Sequence, residues 1–166
     1  MKESTPKTEQ LSKSTMKTVI SEKQYPYYIC EQLVEFQYMK DLFIVNSMKA
    51  MEDKDKEKDI LETAIKMDKI LDNMEYIKVP DKYKDIHKDI HKDIQVGVTD
   101  ARKATKLIKD ANKEDKPNMQ EAVLKSTPHL SGVDRENWKS ALYELSKENK
   151  DAYGKALDKL MKEHAE

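Results

Sequence analysis

The run YPYYICEQLVEFQYMKDLFIVNSMKAM, residues 25–51, is the most apolar stretch of a chain in which 38% of the residues are charged. It contains both Phe residues, the only Cys and four of the eight Tyr. At helical spacing it carries one apolar stripe of Ile29, Leu33, Phe36 and Phe43, and a second beside it of Val34, Tyr38, Leu42 and Val45. A helix that is apolar over most of its circumference is normally covered by several neighbours. We therefore predict that this helix is the centre of the fold.

Charged residues interrupt this run and pervade the rest of the chain. Glu31, Glu35, Lys40 and Asp41 lie within it, whereas a membrane-spanning helix needs about 20 predominantly apolar residues. Over the whole chain, 31 basic and 32 acidic residues leave a net charge of −1. Because the two signs are interspersed, the sequence lacks the basic face that neutralises a phosphate backbone. The composition argues against a membrane span and against nucleic-acid binding.

Residues 52–59, EDKDKEKD, are either a solvated connection between helices or a helical extension with i,i+4 ion pairs, and two further helices are predicted after the central one. A seam with spacings of four and three residues predicts a helix over residues 59–77, formed by Ile60, Ala64, Met67, Leu71 and Met74. A longer seam predicts a helix over residues 81–111, formed by Tyr83, His87, Ile90, Ile94, Gly97, Ala101, Ala104 and Ile108. The small residues in the longer helix should let a neighbouring helix approach closely.

The C-terminal third contains the strongest breaks. We predict a turn over residues 112–118, a short helix over residues 119–125, and a true loop over residues 126–133, which contain both Pro and Gly. Asp134 is then the predicted N-cap of a last long helix that ends near His164. Its predicted inner face consists of Trp138, Leu142, Leu145, Ala152, Ala156 and Leu160.

These elements predict an all-α fold. With only 3 Gly, 5 Pro and no strand signal, we expect an antiparallel helical bundle of four long helices plus one short helix. Residues 25–166 should form this single domain, and residues 1–24 a polar, flexible N-terminal tether. Within the tether, residues 1–13 have almost nothing to bury and are predicted to be disordered. Residues 14–24 could add a loose helical turn docked on the core.

The segment DIHKDIHKDI, residues 85–94, holds the most conspicuous candidate metal ligands. His87 and His91 are four residues apart, so they share a helix face and could hold one metal ion. However, Lys88 stands where the zinc-protease motif H-E-x-x-H has its glutamate, and two His supply only half of a zinc site. The alternative is structural: His87 on the seam and His91 at its edge each bond to the next helix. A buried His could also respond to pH between about 5 and 7.

Three tyrosines, Tyr25, Tyr27 and Tyr28, begin the central helix beside Pro26. Not every ring can be buried at a helix start, and exposed aromatic rings are good interface anchors. We therefore predict a contact surface there, with simple capping of the bundle end as the alternative.

Catalytic signatures are missing from the sequence. It has no Gly-rich phosphate loop, no G-x-S-x-G elbow, no Cys/His pair at a recognisable spacing and no Glu-x-x-His pair of di-iron bundles. Cys30 stands alone among apolar neighbours and is expected to be a small buried hydrophobe. We expect neither enzymatic activity nor a cofactor.

A family resemblance begins at residues 77–83, IKVPDKY, and extends through His87. This Pro, then Tyr, then His entry into a long amphipathic helix resembles the helical ectodomains of small Gram-positive lipoproteins. The Ser/Thr/Lys-rich N-terminus resembles the tract that follows the lipid-bearing Cys of such proteins. The chain has no N-terminal apolar signal segment, and Cys30 does not follow small residues as a lipobox Cys does. The resemblance therefore implies that the lipid anchor lies outside this chain.

Three functional hypotheses follow. The first is a non-enzymatic helical-bundle domain that binds a protein partner, tethered outside a Gram-positive cell membrane, with exclusion or immunity as one role. The second is a cytosolic helical adaptor, regulator or phage-type inhibitor. The third is a metal- or pH-sensing bundle that uses His87 and His91.

Overall fold

The predicted central helix is present as α1 (Tyr25–Lys49). Pro26 lies in its first turn, where the missing N–H of proline costs no helical hydrogen bond. The computed structural model describes residues 17–50, 52–114, 118–133 and 138–165, and in these ranges five more helices follow α1. They are α2 (Glu57–Glu75), α3 (Lys84–Asn112), α4 (Met119–Val133), α5 (Trp138–Glu148) and α6 (Lys150–Glu163). The predicted all-α fold is confirmed. Among the described residues, no helix is both long and apolar enough to cross a bilayer.

Helix α1 contacts each of the other five described helices. The side chains of its first stripe are almost completely buried: Ile29, Leu33, Phe36 and Phe43. The second stripe is covered less well, because Val34 is buried, Tyr38 and Leu42 are half-buried, and Val45 is exposed. The central helix is therefore enclosed on one side and partly open on the other.

Helix α3 packs against α1, α2 and α4 along the predicted seam, and all eight seam residues from Tyr83 to Ile108 are buried. The ring of Phe36 lies so close to Gly97 that a Cβ at that position would be 3.2 Å from Phe36 Cζ. The same Cβ would be 3.8 Å from the Val133 carbonyl oxygen of α4, and the small side chains of Ala101 and Ala104 are also buried. The close approach predicted from these small residues is thus observed.

Helix α4 corrects the prediction of a short helix followed by a loop. It continues from Met119 to Val133 with Pro128 inside it. Its buried residues include Ala122, Ser126 and Val133, at helical spacing on the side that packs along α3. Packing against a neighbouring helix offsets the local cost of a proline, so the local Pro and Gly signal was misleading.

The last predicted helix is two helices. Asn149 adopts a non-helical conformation, with φ −136° and ψ 78°, and separates α5 from α6. Trp138, Ala141 and Leu145 of α5 join the main core, whereas Ala152 and Ala156 of α6 pack with Cys30 and Val34 in a second cluster. The two helices therefore cover different sides of α1. The predicted N-cap, Asp134, lies outside the described residues.

The segment before α1 also differs from the prediction of a loose helical turn. Thr18–Val19 forms strand β1, which pairs in parallel with β2 (Ile77–Lys78), and Ile20 is buried in the core. Strand β1 and Ile20, assigned above to the tether, therefore pack on the bundle, while the side chains of residues 17–19 and 21–24 are exposed. Residues 1–16 lie outside the described residues, so the tether itself stays a prediction.

We predict that Phe36→Ala lowers the free energy of unfolding by about 3–5 kcal/mol, because it empties the site where α1 and α3 meet at Gly97. Urea denaturation followed by circular dichroism measures this loss. Tyr76→Ala, at a ring that is 49% exposed, serves as the control and should change stability by no more than about 0.5 kcal/mol. Equal effects of the two substitutions would contradict the central role of α1.

Candidate functional site

A groove of about 730 Å³ runs along the open side of α1, where α5 and α6 meet it. Its walls are mainly aliphatic and aromatic. They comprise Val34, Gln37, Tyr38 and Asp41 of α1, Trp138, Lys139, Leu142, Tyr143 and Ser146 of α5, and Tyr153, Leu157 and Leu160 of α6. A concave, mostly apolar site with a few polar groups is the usual form of a binding pocket.

The groove exists because the second stripe of α1 is only partly covered. Val34 and Tyr38 of that stripe form its α1 wall. The break at Asn149 lets α5 turn Trp138 and Leu145 toward the main core while α6 packs on Cys30 and Val34. Leu142 and Leu160, predicted on the inner face of one long helix, are half-buried and line the groove instead.

Two residues of the groove carry buried polar atoms that have no hydrogen-bond partner among the described residues. They are the indole Nε1 of Trp138, a side chain only 2% exposed, and the amide Oε1 of Gln37. The Gln37 amide nitrogen donates to both carboxylate oxygens of Asp41, at 3.3 and 3.2 Å, which fixes its oxygen as the unpaired atom. Buried polar atoms without partners are rare in folded proteins, and a ligand in the groove would reach this donor and this acceptor only if their side chains turned toward it.

Aromatic side chains form the outer part of the groove. Tyr143 is 65% exposed and Tyr153 is 38% exposed. The Nζ atom of Lys147 lies 4.7 Å from the centre of the Tyr143 ring, within cation–π range. Exposed tyrosines beside an apolar groove offer large, rigid contact area to a partner.

Three other clefts, of about 280, 420 and 330 Å³, are lined largely by charged side chains. Among their lining residues only Tyr83, in the third cleft, is aromatic. Their linings include Glu35 and Lys66 in the first, Lys155 and Asp158 in the second, and Lys82 and Glu148 in the third.

His87 is part of a buried structural network. Its Nε2 lies 3.0 Å from the carbonyl oxygen of Met74, and its Nδ1 lies 2.8 Å from the hydroxyl of Tyr25. Because a carbonyl can only accept, Nε2 carries the proton and Nδ1 accepts from the tyrosine. Both ring nitrogens are engaged, so a metal ion at His87 would have to displace one of these partners.

His91 lies at the edge of the same seam, where its Nε2 is 3.0 Å from Glu75 Oε1. Both histidines therefore bond to the C-terminal end of α2, as the structural alternative predicts. Among the described residues, neither belongs to a group of three potential metal ligands. Metal binding by His87 and His91 stays a prediction, without a third ligand among these residues to support it.

The tyrosine cluster differs from the predicted contact surface. Tyr25 is fully buried and stacks on Tyr83, with ring centres 4.5 Å apart. Its hydroxyl needs a buried partner and finds one in His87, so this ring cannot contact another protein in this structure. Tyr28 is half-buried and donates to the carbonyl of Asn73 at 2.8 Å, and Tyr27 is half-buried beside Lys155. A contact role for these last two stays a prediction.

Cys30 is buried in the cluster between α1 and α6. Burial raises the pKa of its thiol to about 11, so the thiolate that acts as a nucleophile is scarce at neutral pH. The expectation of a small buried hydrophobe is confirmed.

Sequence reasoning missed the groove because its residues come from three helices and share no motif. The only available signal was the aromatic content of the C-terminal helix, with Trp138, Tyr143 and Tyr153 in one segment. Comparison with protein-family models, with curated proteins and with solved structures finds no match to this chain.

We predict that acidification destabilises the fold through His87. Burial lowers the pKa of His87, and the nearby charges of His91 and Lys17 act in the same direction, while the bond to Met74 opposes them. With the folded-state pKa below the unfolded value of about 6.5, the unfolded chain binds the proton first. The free energy of unfolding should therefore fall as the pH drops below about 6.5, by up to about 1.4 kcal/mol per pH unit for this one proton.

Urea denaturation between about pH 7.5 and pH 5 measures this dependence in wild type and in His87→Gln. Subtracting the two profiles removes the contributions of other titrating groups. His91→Ala, at a more exposed histidine, is the matched control and should retain the His87 contribution. Identical pH slopes in wild type and His87→Gln would refute the prediction.

Proposed function

We propose that this chain is a non-enzymatic helical-bundle domain that binds a peptide segment of a protein partner in the groove between α1, α5 and α6. The observation that carries the proposal is a concave, mainly apolar and aromatic groove that is bordered by the exposed rings of Tyr143 and Tyr153. Trp138 Nε1 and Gln37 Oε1 are already shielded from solvent in the free protein, so a ligand that induces either side chain to turn toward the groove would gain a hydrogen bond.

An amide group has the matching chemistry. Its carbonyl oxygen accepts from an indole N–H, and its N–H donates to an amide oxygen, whereas a hydrocarbon offers neither. Peptide backbone carries such groups at every residue. The aliphatic side chains of Leu142, Leu157 and Leu160 would then contact apolar side chains of the same segment.

The outer tyrosines favour a protein over a small amide-bearing molecule. A small ligand would be held by the interior of the groove, and the exposed rings of Tyr143 and Tyr153 would add little to its binding. A partner protein extends beyond the groove and can cover both rings, which is how aromatic residues contribute to interfaces.

The cellular setting remains the one suggested by the N-terminal sequence. We infer that the domain is tethered outside a Gram-positive cell membrane by a lipid anchor, with exclusion or immunity as one role. The alternative is a cytosolic adaptor, regulator or phage-type inhibitor. A signal peptide with a lipobox in the codons upstream of Met1 would support the first setting, and an in-frame stop codon there would support the second.

A second candidate function, pH sensing, is favoured by one observation. The neutral imidazole of His87 bridges Met74 and Tyr25 inside the core, so its protonation would disturb the contact between α1, α2 and α3. The stability measurement described above tests this candidate independently of the groove.

We predict that a photo-crosslinking amino acid at position 143 or 153 captures the same partner segment in the producing cells, because both positions border the groove. Position 76 is the matched control, since Tyr76 is also an exposed tyrosine but follows α2. Mass spectrometry of the crosslinked peptide identifies the segment. Capture of the same proteins from all three positions, or of none at 143 and 153, would contradict the proposal.

The identified segment, made as a synthetic peptide, is then titrated calorimetrically into the full chain. Gln37→Leu should weaken binding by about tenfold, because it removes one hydrogen bond worth about 1–1.5 kcal/mol. Gln95→Leu, at an exposed glutamine of α3, is the control and should bind as wild type does. Trp138 is the only tryptophan, so its fluorescence reports directly on occupancy of the groove. Unchanged affinity in Gln37→Leu would show that the unpartnered amide does not recognise the ligand.

A further inference from the structure

The C-terminal end of α6 brings three potential metal ligands together against α1. One carboxylate oxygen of Glu35, one of Glu163 and a ring nitrogen of His164 lie within 4.8 Å of one another. Glu35 projects from the middle of α1, whereas Glu163 is the last residue of α6 and His164 follows it. We propose that these three side chains form a site for a divalent transition metal ion such as Zn²⁺.

The position of His164 supports a ligand at this place. Its ring stacks on Tyr38, with ring centres 4.3 Å apart and an angle of 27° between the planes. The Nε2 atom is buried, lies 3.4 Å from Glu35 Oε1, and makes no hydrogen bond with acceptable geometry among the described residues. The imidazole is thus held in place with a buried nitrogen that faces a carboxylate.

The spacing of the three groups suits a small, tetrahedrally coordinated ion. Metal–ligand distances of about 2.0–2.2 Å place neighbouring ligand atoms of a tetrahedral zinc site about 3.3–3.6 Å apart. The Glu35–His164 distance of 3.4 Å is already in this range, and the other separations are at most 4.8 Å, so rotation of the exposed Glu163 side chain would have to bring its carboxylate closer. Three protein ligands leave a fourth position for water, and the imidazole favours Zn²⁺, Ni²⁺ or Cu²⁺ over Mg²⁺ or Ca²⁺.

Local electrostatics also favour a cation. The last carbonyls of a helix carry partial negative charge, and Glu163 and His164 lie at that end of α6. Lys66, Lys69 and Lys159 border the adjacent cleft and work against cation binding. However, Lys159 is already paired with Glu31, its Nζ atom 3.2 Å from the carboxylate. Glu31 is also the main cause of the raised pKa of Lys159, so this lysine is held chiefly by Glu31.

The two other partly exposed histidines, His91 and His129, belong to no group of three potential metal ligands among the described residues. His91 faces only Glu75 and His129 faces only Asp100, each at 3.0 Å. They are therefore natural comparisons, because each is a His–carboxylate pair without a third ligand among the described residues. The metal ligands predicted from the sequence, His87 and His91, lie four residues apart on one helix. The site proposed here instead joins Glu35 to Glu163 and His164, which are distant in the chain.

A bound ion would fasten the end of α6 to α1. Tyr38, which stacks on His164, also lines the groove, so the ion would hold one groove wall in place. The metal site does not depend on what the groove binds, and the following experiment tests it without any groove ligand.

ZnCl₂ is titrated calorimetrically into the full chain carrying no polyhistidine tag. We expect one saturable site per chain, and Co²⁺ at the same site should give visible absorption bands from nitrogen and oxygen ligands. His164→Ala and Glu35→Gln should each weaken Zn²⁺ binding by at least about tenfold. Glu163→Gln should also weaken Zn²⁺ binding. All three side chains are at or near the surface, and circular dichroism verifies that each variant is folded.

His91→Ala is the matched control and should bind Zn²⁺ as wild type does. Absence of saturable binding, or wild-type affinity in both His164→Ala and Glu35→Gln, would overturn the proposal. Loss of binding in His91→Ala with retention in His164→Ala would assign the ion to the segment at residues 85–94 and would equally overturn it.

Discussion

The packing of the Phe36 stripe of α1 against α3 is the contact on which the rest of the structure depends. Phe36 lies against Gly97 at a distance that leaves no room for a larger side chain without a shift. This close contact sets how near α1 and α3 approach, and α4 approaches the same glycine, because a Cβ at Gly97 would be 3.8 Å from the Val133 carbonyl oxygen. Once these helices are in place, α5 and α6 can cover only part of the remaining surface of α1.

That incomplete cover links the core to the candidate function. A helix that is apolar around most of its circumference needs neighbours on every side, and α1 lacks one continuous neighbour along Tyr38 and Leu42. The interruption at Asn149 divides the C-terminal segment between two surfaces of α1 and leaves a groove between them. The same residues that a fully closed bundle would bury are thus available to a partner. Stability comes from the closed side of α1, and binding is proposed for the open side.

The polar side chains also differ between the closed side and the open side of α1. On the closed side, the buried His87 and Tyr25 satisfy each other and the Met74 carbonyl. At the border of the open side, the buried atoms Trp138 Nε1 and Gln37 Oε1 lack partners among the described residues, and the His164 imidazole lies near two carboxylates. A polar group inside a finished core must be paired during folding, whereas one in a binding site can be paired by a ligand. This difference separates the structural histidine from the candidate ligand-binding groups.

The sequence by itself determined the all-α class, the central helix, the buried seams of α2 and α3, and the close approach at Gly97, because helical periodicity and residue size are local properties. Only the tertiary structure decided the rest. Leu145 and Ala152 are seven residues apart and read as one seam, but they pack on different parts of α1, so the break at Asn149 was invisible in the pattern. Pro128 and Gly132 resembled loop residues until packing along α3 kept them helical. The groove and the Glu35–Glu163–His164 cluster join residues distant in the chain, and no local pattern specifies which side chains meet when helices pack.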